Sequence, residues 1–580
     1  MILFKVYVDF FKKYKKYSLI ILLTNIVIGI SPIASVFVIQ QLINTLVTNQ
    51  NLKKIIVLIV IYGLVLLFTN IIDTIQSYLN GILTNQVSFD IEKSIITKVK
   101  SLTMEQFEQN NTYSVIDKLI NESTQKPIDI FTSLNTMFIA SITIVSGLIF
   151  LATINIWYLI ATVIINLIAF PFLIKISNES FNVQWERAEL ERHAWYYKYL
   201  LTHDFAVKEI KLQSTFKWFF NKFISLRSLF VKQDNKLLKK LSVFNYIYEF
   251  LISGLSFILI CSVIINILNK KMLLGNLTSV SQLVSTINGN IKSIINTTYS
   301  LNYDIAMVRE LNNFLSMETV TQSNSIEIDD INSIEYSNLN YSYGNQAQQV
   351  LNNISFSINP GEVTVIVGEN GSGKSTIVKL LMGLYYPDNE NTLFINDIPI
   401  ENIDIESLHK KEAVLFQDFV KYEMSLRDNV GVGNLDKIED DDFISDVVNK
   451  YAPSVKENDL NQQLGVWFED GKQLSGGQWQ SVGMARALVN NNADLIILDE
   501  PNAALDNIRE NDLFNTFKDY ILKNNKFGIC ISHSLKFSKS ANKIIVVDNG
   551  HIDSIGTHSE LLEISAVYKK LWEAEKNNES

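Results

Sequence analysis

A chain of 580 residues is too long for one ordinary hydrophobic core, and 47% apolar residues with a mean hydropathy of +0.14 call for a lipid-facing part. Charge divides along the chain: residues 1–320 carry 29 Lys and Arg against 20 Asp and Glu, net +9, and the remainder carries 21 against 40, net −19. No basic stripe with interleaved aromatics marks the acidic half, which argues against a nucleic-acid partner, and two cysteines, Cys261 and Cys530, argue against disulfide stapling or a cysteine metal site.

The N-terminus, MILFKVYVDFFKKYKKYSLIILL, places a basic stretch before an apolar one. The apolar run continues past signal-peptide length without a small-residue cleavage pattern, so a retained first span is expected. Segments long enough to cross about 30 Å of hydrocarbon lie near 18–42, 55–78, 131–153, 157–175, 243–267 and 276–299, which predicts six transmembrane helices. They contain Asn25, Ser141, Asn166, Ser285, Thr286, Asn288 and Asn290, with Thr84 and Asn85 beyond the second. Such groups either join neighbouring helices or line a wet cavity. The polar stretches after the second and fourth spans keep helical periodicity, as in DFAVKEIKLQSTFKWFFNKF, and predict long helices projecting from one side of the membrane. Lys12, Lys13, Lys15, Lys16, Lys93, Lys98, Lys100, Lys208, Lys211, Lys217 and Lys222 make that side cytoplasmic by the positive-inside bias, against the modest exception of Lys270 and Lys271.

A transmembrane domain over 1–318 is therefore expected, then a polar, acidic linker over 319–333. From 334 to 580 short β-branched strands such as EVTVIVG, DLIILDE and FGICIS alternate with amphipathic helices, the pattern of an α/β nucleotide-binding domain. The predicted fold class is thus multi-domain, an all-α membrane domain followed by an α/β domain.

The strand VTVIV runs into Gly368, Glu369, Asn370, Gly371, Ser372, Gly373, Lys374, Ser375 and Thr376 and then a helix, the full phosphate-loop pattern in its strand, turn and helix setting. The glycines let successive N–H groups and a helix N-terminus point at β- and γ-phosphate. Lys374 adds positive charge, and the Ser375 hydroxyl suits Mg²⁺. The strand LIILD delivers Asp499 to the Mg²⁺ shell and Glu500 as the base that polarises an attacking water. His533, in CISHS after a further strand, is placed to contact the γ-phosphate and orient that water. Gln417, in AVLFQDF, offers an amide to Mg²⁺ and water, and Tyr343, about twenty-five residues before the loop, offers a ring to adenine; the alternative for Tyr343 is a structural strand tyrosine.

A second small-residue turn, Ser475-Gly476-Gly477 followed by Gln478, opens another helix. The loop at 368–376 already occupies the phosphates, so this turn is expected to serve another molecule's nucleotide. Two copies placed head to tail would sandwich two ATP molecules.

LSGGQ together with GENGSGKST, LIILDEPNAALD and His533 resembles the ATP-binding cassette transporters, and six spans ahead of the cassette resemble the exporter half-transporter layout over about 10–575. The resemblance implies a homodimer or a heterodimer with a close paralogue. It also implies short coupling helices near Met104–Tyr113 and His203–Gln213, and assigns adenine stacking, glutamine-loop, Mg²⁺, base, signature and switch positions to Tyr343, Gln417, Asp499, Glu500, Ser475 and His533. Two departures stand out. GVWFEDGKQLSGGQWQ replaces the acidic TEVGERG type and resembles bacterial exporters of ribosomally made peptides such as lantibiotics and microcins, where the tryptophan after LSGGQ recurs. PNAALD replaces PTSALD, changing Asn502 and Ala503 but keeping Asp506. No room precedes the first span for a cysteine peptidase domain, so the cargo is expected to arrive mature or be trimmed elsewhere.

The expected function is ATP-driven export of an antibacterial peptide across the bacterial cytoplasmic membrane, with self-immunity and with membrane lipid around the spans. Tyr246, Tyr248, Tyr299 and Tyr303, in or beside the last two spans, are candidate cargo contacts. Export of lipid-linked substrates or drugs and an ATP-switched regulatory protein remain alternatives; the spans exclude a soluble cassette ATPase of DNA repair or translation.

Overall fold

The computed structural model describes residues 2–48, 51–108, 112–317, 325–344, 349–457, 459–501, 507–532 and 535–579. Backbone proximity divides the chain into two compact units, residues 1–102 with 109–318 and residues 103–108 with 319–580.

The first unit is helical. Its elements are α1 (Ile2–Lys13), α2 (Lys15–Thr48) and α3 (Leu52–Lys100), then, beyond α4 (Met104–Glu108) of the second unit, α5 (Thr112–Lys118), α6 (Lys126–Ile154), α7 (Ile156–Glu186), α8 (Ala188–Thr202), α9 (Asp204–Leu212), α10 (Phe216–Leu268) and α11 (Gly275–Leu315). Among the described residues four helices, α2, α3, α6 and α10, are long and apolar enough to cross a membrane, where six were expected. The expected spans at 157–175 and 276–299 fall in α7 and α11. In α7 the apolar helical stretch that stands out is Ile156–Ile168. In α11 the run of Ser, Thr and Asn, as in SVSQLVSTINGN, dilutes the apolar character.

Polar residues of the spans spend their hydrogen bonds inside the unit. Asn25 Nδ2 donates to Asn135 Oδ1 at 2.8 Å, and Gln76 Nε2 donates to Asn25 Oδ1 at 2.6 Å, joining α2, α3 and α6. Tyr248 Oη donates to Asn166 Oδ1 at 2.5 Å and Asn166 Nδ2 to Asn288 Oδ1 at 2.9 Å, joining α10, α7 and α11. Ser141 and Asn290 bond to carbonyls four residues back on their own helices. Close packing has its own device at Gly29, where a Cβ would lie 2.8 Å from Ile142, and Thr143 Oγ1 donates to the Gly29 carbonyl at 2.8 Å. Helix joining is thus the role seen for Asn25, Asn166 and Asn288. Outside the expected spans, Lys126 at the start of α6 pairs with Asp129 at 3.1 Å and with the buried Asp304 of α11 at 3.0 Å.

The second unit is α/β. It comprises β1 (Ile334–Tyr341), β2 (Leu351–Ile358), β3 (Val363–Val367), α12 (Lys374–Leu381), β4 (Leu393–Ile395), β5 (Ile398–Pro399), α13 (Ile405–Lys410), β6 (Glu412–Leu415), α14 (Leu426–Gly431), α15 (Asp441–Tyr451), α16 (Gly476–Leu488), β7 (Leu495–Asp499), α17 (Asn507–Asn524), β8 (Phe527–Ile531), α18 (Lys536–Ser540), β9 (Lys543–Asp548), β10 (His551–Gly556), α19 (His558–Ile564) and α20 (Ala566–Glu579). One sheet runs β2-β1-β4-β5 and the other β10-β9-β3-β8-β7-β6. In the second, β9, β3, β8, β7 and β6 are parallel, with Ile366 opposite Ile531 and Asp499 opposite Ile531. VTVIV and FGICI are buried at every position, as a parallel strand covered on both faces requires, and each fully buried Ile or Val contributes about 1.5–3 kcal/mol. The expected linker is already structured at its end: Ile326 N–H donates to the Asn402 carbonyl at 2.7 Å and Ile328 N–H to Ser407 Oγ at 3.1 Å. Since β8 lies between β3 and β7, the carboxyl ends of all three emerge side by side.

Candidate functional site

The phosphate loop follows β3 and turns into α12. Gly371 and Gly373 have φ of +79° and +106°, and at Gly373 a Cβ would lie 2.6 Å from Leu351 Cδ2, so only glycine fits there. Lys374 is buried, and its Nζ donates to the Gly368 carbonyl at 3.1 Å and the Glu369 carbonyl at 2.9 Å. Burial holds its pKa below the usual lysine range, opposed by the nearby Glu500 and Asp499 charges. Asn370 lies in the turn, Ser372 is buried, Ser375 and Thr376 open α12, and the Ser372 hydroxyl has no partner.

Asp499 ends β7 with its Oδ1 buried and unpartnered. Its pKa is pushed up to about 6, first by burial and then by the neighbouring Glu500 charge. Glu500 has φ of +50°, a left-handed backbone uncommon for any residue but glycine, and its N–H donates to the Ile531 carbonyl at 2.9 Å. Gln417 Nε2 donates to Glu500 Oε2 at 2.5 Å, so the amide expected on Mg²⁺ rests on the candidate base. The buried, orphaned Asp499 oxygen, next to Glu500 with its left-handed backbone, is the kind of hard oxygen donor that fits a cation such as Mg²⁺, and Ser375 in the first turn of α12 could add a hydroxyl. His533 and Asn502, Ala503 and Asp506 lie outside the described residues.

Tyr343 sits 5.0 Å from Tyr341 and 5.4 Å from Tyr385 in edge-to-face contacts, and its hydroxyl is 3.1 Å from Thr376 Oγ1. The ring is thus held against Thr376 of α12, beside the phosphate loop. Tyr385 in turn donates to Glu108 of α4 at 2.8 Å. Sequence pattern offered no sign of this aromatic group, because its members lie 2 to 44 residues apart with no periodicity.

Ser475 caps α16 in a reciprocal box: its Oγ accepts from Gln478 N–H at 3.3 Å while Gln478 Oε1 accepts from Ser475 N–H at 3.0 Å. Gln478, expected to contact nucleotide, also donates to the Ser454 carbonyl at 3.3 Å, so its amide is used in shaping the turn. Ser475 and Gly476 are exposed at the N-terminus of this 13-residue helix, where the dipole favours an anion. Trp479 is buried in a cluster with Leu474, Val482 and Leu464 and thus belongs to the core. A contact missed from the sequence precedes the turn: Glu423 Oε2 accepts the N–H groups of Val466 and Trp467 at 2.7 and 2.6 Å, clamping the GVWFED loop to the segment after Gln417. Of the cargo aromatics, Tyr248 is buried on Asn166, Tyr246 is exposed, Tyr303 lies under Lys126 at 5.5 Å, and the Tyr299 side chain falls outside the described residues.

The sequence profile of the ABC transporter family matches residues 351–503. The chain is 36% identical to the subtilin transport ATP-binding protein SpaT of Bacillus subtilis, covering 95% of this chain and 90% of that one. It is 35% identical to the nisin transport ATP-binding protein NisT of Lactococcus lactis, covering 97% and 94%. The structure of a bacterial Atm1-family ABC exporter with ATP bound superposes with a TM-score of 0.82 over 97% of this chain and 98% of that one, at 18% identity, a likeness of fold.

Proposed function

Because the chain belongs to the ABC transporter family, as a multi-pass protein of the cytoplasmic membrane that couples ATP hydrolysis to transport, we propose that its cargo is an antibacterial peptide, exported with self-immunity for the producing cell. The observation that carries the cargo reading is the full-length similarity to proteins named for subtilin and nisin transport. Six spans, a transmembrane domain over 1–318, a linker over 319–333 and a cassette over 334–580 belong to the same reading. So does a functional unit of two copies, or of this chain with a close paralogue.

The residues take the following roles. Tyr343 stacks on adenine from its fixed place against α12. The backbone of Gly368, Asn370, Gly371, Ser372, Gly373 and Thr376 wraps the phosphates, and Lys374 exchanges the Gly368 and Glu369 carbonyls for phosphate oxygens. Ser375, Asp499 and Gln417 would hold Mg²⁺, which when bound neutralises charge on the β- and γ-phosphates. Glu500, released from Gln417, takes a proton from the attacking water, and His533 orients that water. Ser475, Gly476 and Gly477, in a turn whose Ser475 N–H is held by the Gln478 side chain, bind the γ-phosphate on the partner copy.

The test is secretion and resistance. Cells carrying the chain are expected to secrete the cognate peptide and survive higher external doses of it, and Lys374→Ala is expected to abolish both. Secretion unchanged by Lys374→Ala, or ATPase activity in vesicles that follows lipid movement or dyes and ignores the peptide, rejects peptide cargo in favour of a lipid or multidrug exporter.

A further inference from the structure

The loop of residues 465–470, GVWFED, lies between two parts of the cassette: the segment that follows Gln417 and the turn at Ser475. Glu423 joins them. Its Oε2 alone accepts the N–H groups of both Val466 and Trp467, at 2.7 and 2.6 Å, and a charged acceptor makes the stronger kind of hydrogen bond. Glycine at 465 permits this approach, because its φ is +94° and a Cβ there would collide with the Glu423 carboxylate.

Further bonds carry the tie onward. Leu464 N–H donates to the Met424 carbonyl at 2.9 Å and Gln463 Nε2 to the Glu423 carbonyl at 2.7 Å, so residues 463–467 are bound along their length to 423 and 424. On their other side Lys472 N–H donates to the Gln463 carbonyl at 2.8 Å, and Gly465 N–H donates to the Lys472 carbonyl at 3.1 Å. Lys472 lies three residues before Ser475, and between them Leu474 is buried in one cluster with Leu426, Leu464 and Trp479 of α16. The chain entering the turn is thus held by residues 463–465, and these by the segment that carries Glu423. The side chains of Val466, Trp467 and Phe468 are exposed, so burial contributes little to placing the loop and its hydrogen bonds to Glu423 contribute most.

We propose that Glu423 is a positioning residue for hydrolysis at the partner copy's nucleotide, holding the 463–472 lattice that sets the entry to the Ser475 turn. The proposal rests on the reading of that turn as the contact for the partner's γ-phosphate. Glu423 acts through the turn and not on nucleotide. Misplacement by about 1 Å of a group that meets the reacting phosphate costs up to ~10²-fold in rate. The chain's own phosphate cradle is built from other segments, β3 and α12, so its binding of ATP is left intact.

Full-length protein in lipid vesicles tests this. Glu423→Ala is expected to lower kcat for ATP hydrolysis about tenfold, while ATP binding measured directly on the same protein stays within about twofold of wild type. Glu423→Gln is expected to stay within about threefold on kcat, because both N–H groups go to one oxygen and an amide carbonyl can take its place. A folded Glu423→Ala protein with kcat within about twofold of wild type overturns the proposal. So does an equal loss of ATP binding and hydrolysis, or a Glu423→Gln protein as impaired as Glu423→Ala. Should the alanine variant not fold, Glu423→Asp decides: it keeps the charge but is a methylene too short to reach both N–H groups, and its kcat is expected to fall below that of Glu423→Gln. An aspartate variant at least as active as the glutamine one then overturns the proposal. Ser475→Glu measured in parallel separates the two claims. Wild-type hydrolysis by that variant rejects the reading of the turn itself, whereas its inactivity beside a fully active Glu423→Ala rejects only the role of Glu423.

Discussion

The turns at 368–376 and 475–478 are built from the same materials, Gly and Ser ahead of a helix, and reach opposite ends. The first is wrapped on itself: Lys374 folds back on two carbonyls of its own loop, Gly373 is locked at φ +106°, and the turn stands beside Asp499 and Glu500. The second is open, with Ser475 and Gly476 exposed and the only side-chain bonds at Ser475 running to Gln478 within the turn, among the described residues. A complete phosphate cradle and an exposed anion turn on one chain are understood if each cradle meets the other copy's turn.

The comparison breaks most sharply at the base. Glu500→Gln is expected to keep ATP binding and lose about 10²-fold or more of steady-state hydrolysis, because the Asp499 side and the loop stay intact; hydrolysis near wild type would falsify the role of Glu500. At the open turn, Ser475→Glu places negative charge where the partner's γ-phosphate is expected, and ATP binding to the separate cassette should hold within about twofold while hydrolysis falls about tenfold or more. Equal loss of binding and hydrolysis would instead place Ser475 at its own chain's nucleotide. Smaller again is Gly373→Ala, which must accept a left-handed φ and a Leu351 contact at 2.6 Å; a cost of about 1–3 kcal/mol in thermal or denaturant unfolding of the cassette is expected. The membrane unit supplies the smallest effect. Tyr248→Phe removes one bond of the Asn166 network and should cost about 0.6 kcal/mol with transport retained, and a large loss of transport at unchanged stability would turn that network into a cargo contact.

Both turns could be read in the sequence because each is a contiguous run whose residue types answer to a local demand, positive φ at Gly373 and a cap at Ser475. The acidic strand end was legible for the same reason, an apolar run ending in Asp499. What the chain hid was tertiary. Gln417 meets Glu500 across 83 residues, Tyr385 meets Glu108 across 277, and Glu575 meets Leu535 across 40, and no local pattern encodes such partners. Span counting differs in kind: among the described residues four of the six expected spans stand out by length and composition, and in α11 the Ser and Asn residues dilute the apolar character that marks the others.

The arrangement of two copies is tested most directly by linking the turns. Two differently tagged chains, both carrying Glu500→Gln, one with Ser475→Cys and the other with Asn370→Cys, are mixed, reconstituted and treated with a short thiol crosslinker; Cys530 is fully buried, and a chain pair without the new cysteines controls for Cys261. The account predicts a band joining the two tags that appears with ATP and Mg²⁺ and is absent without nucleotide. No such band under ATP, together with efficient linkage within a single chain that carries both substitutions, would show that the open turn serves its own nucleotide and would contradict the account.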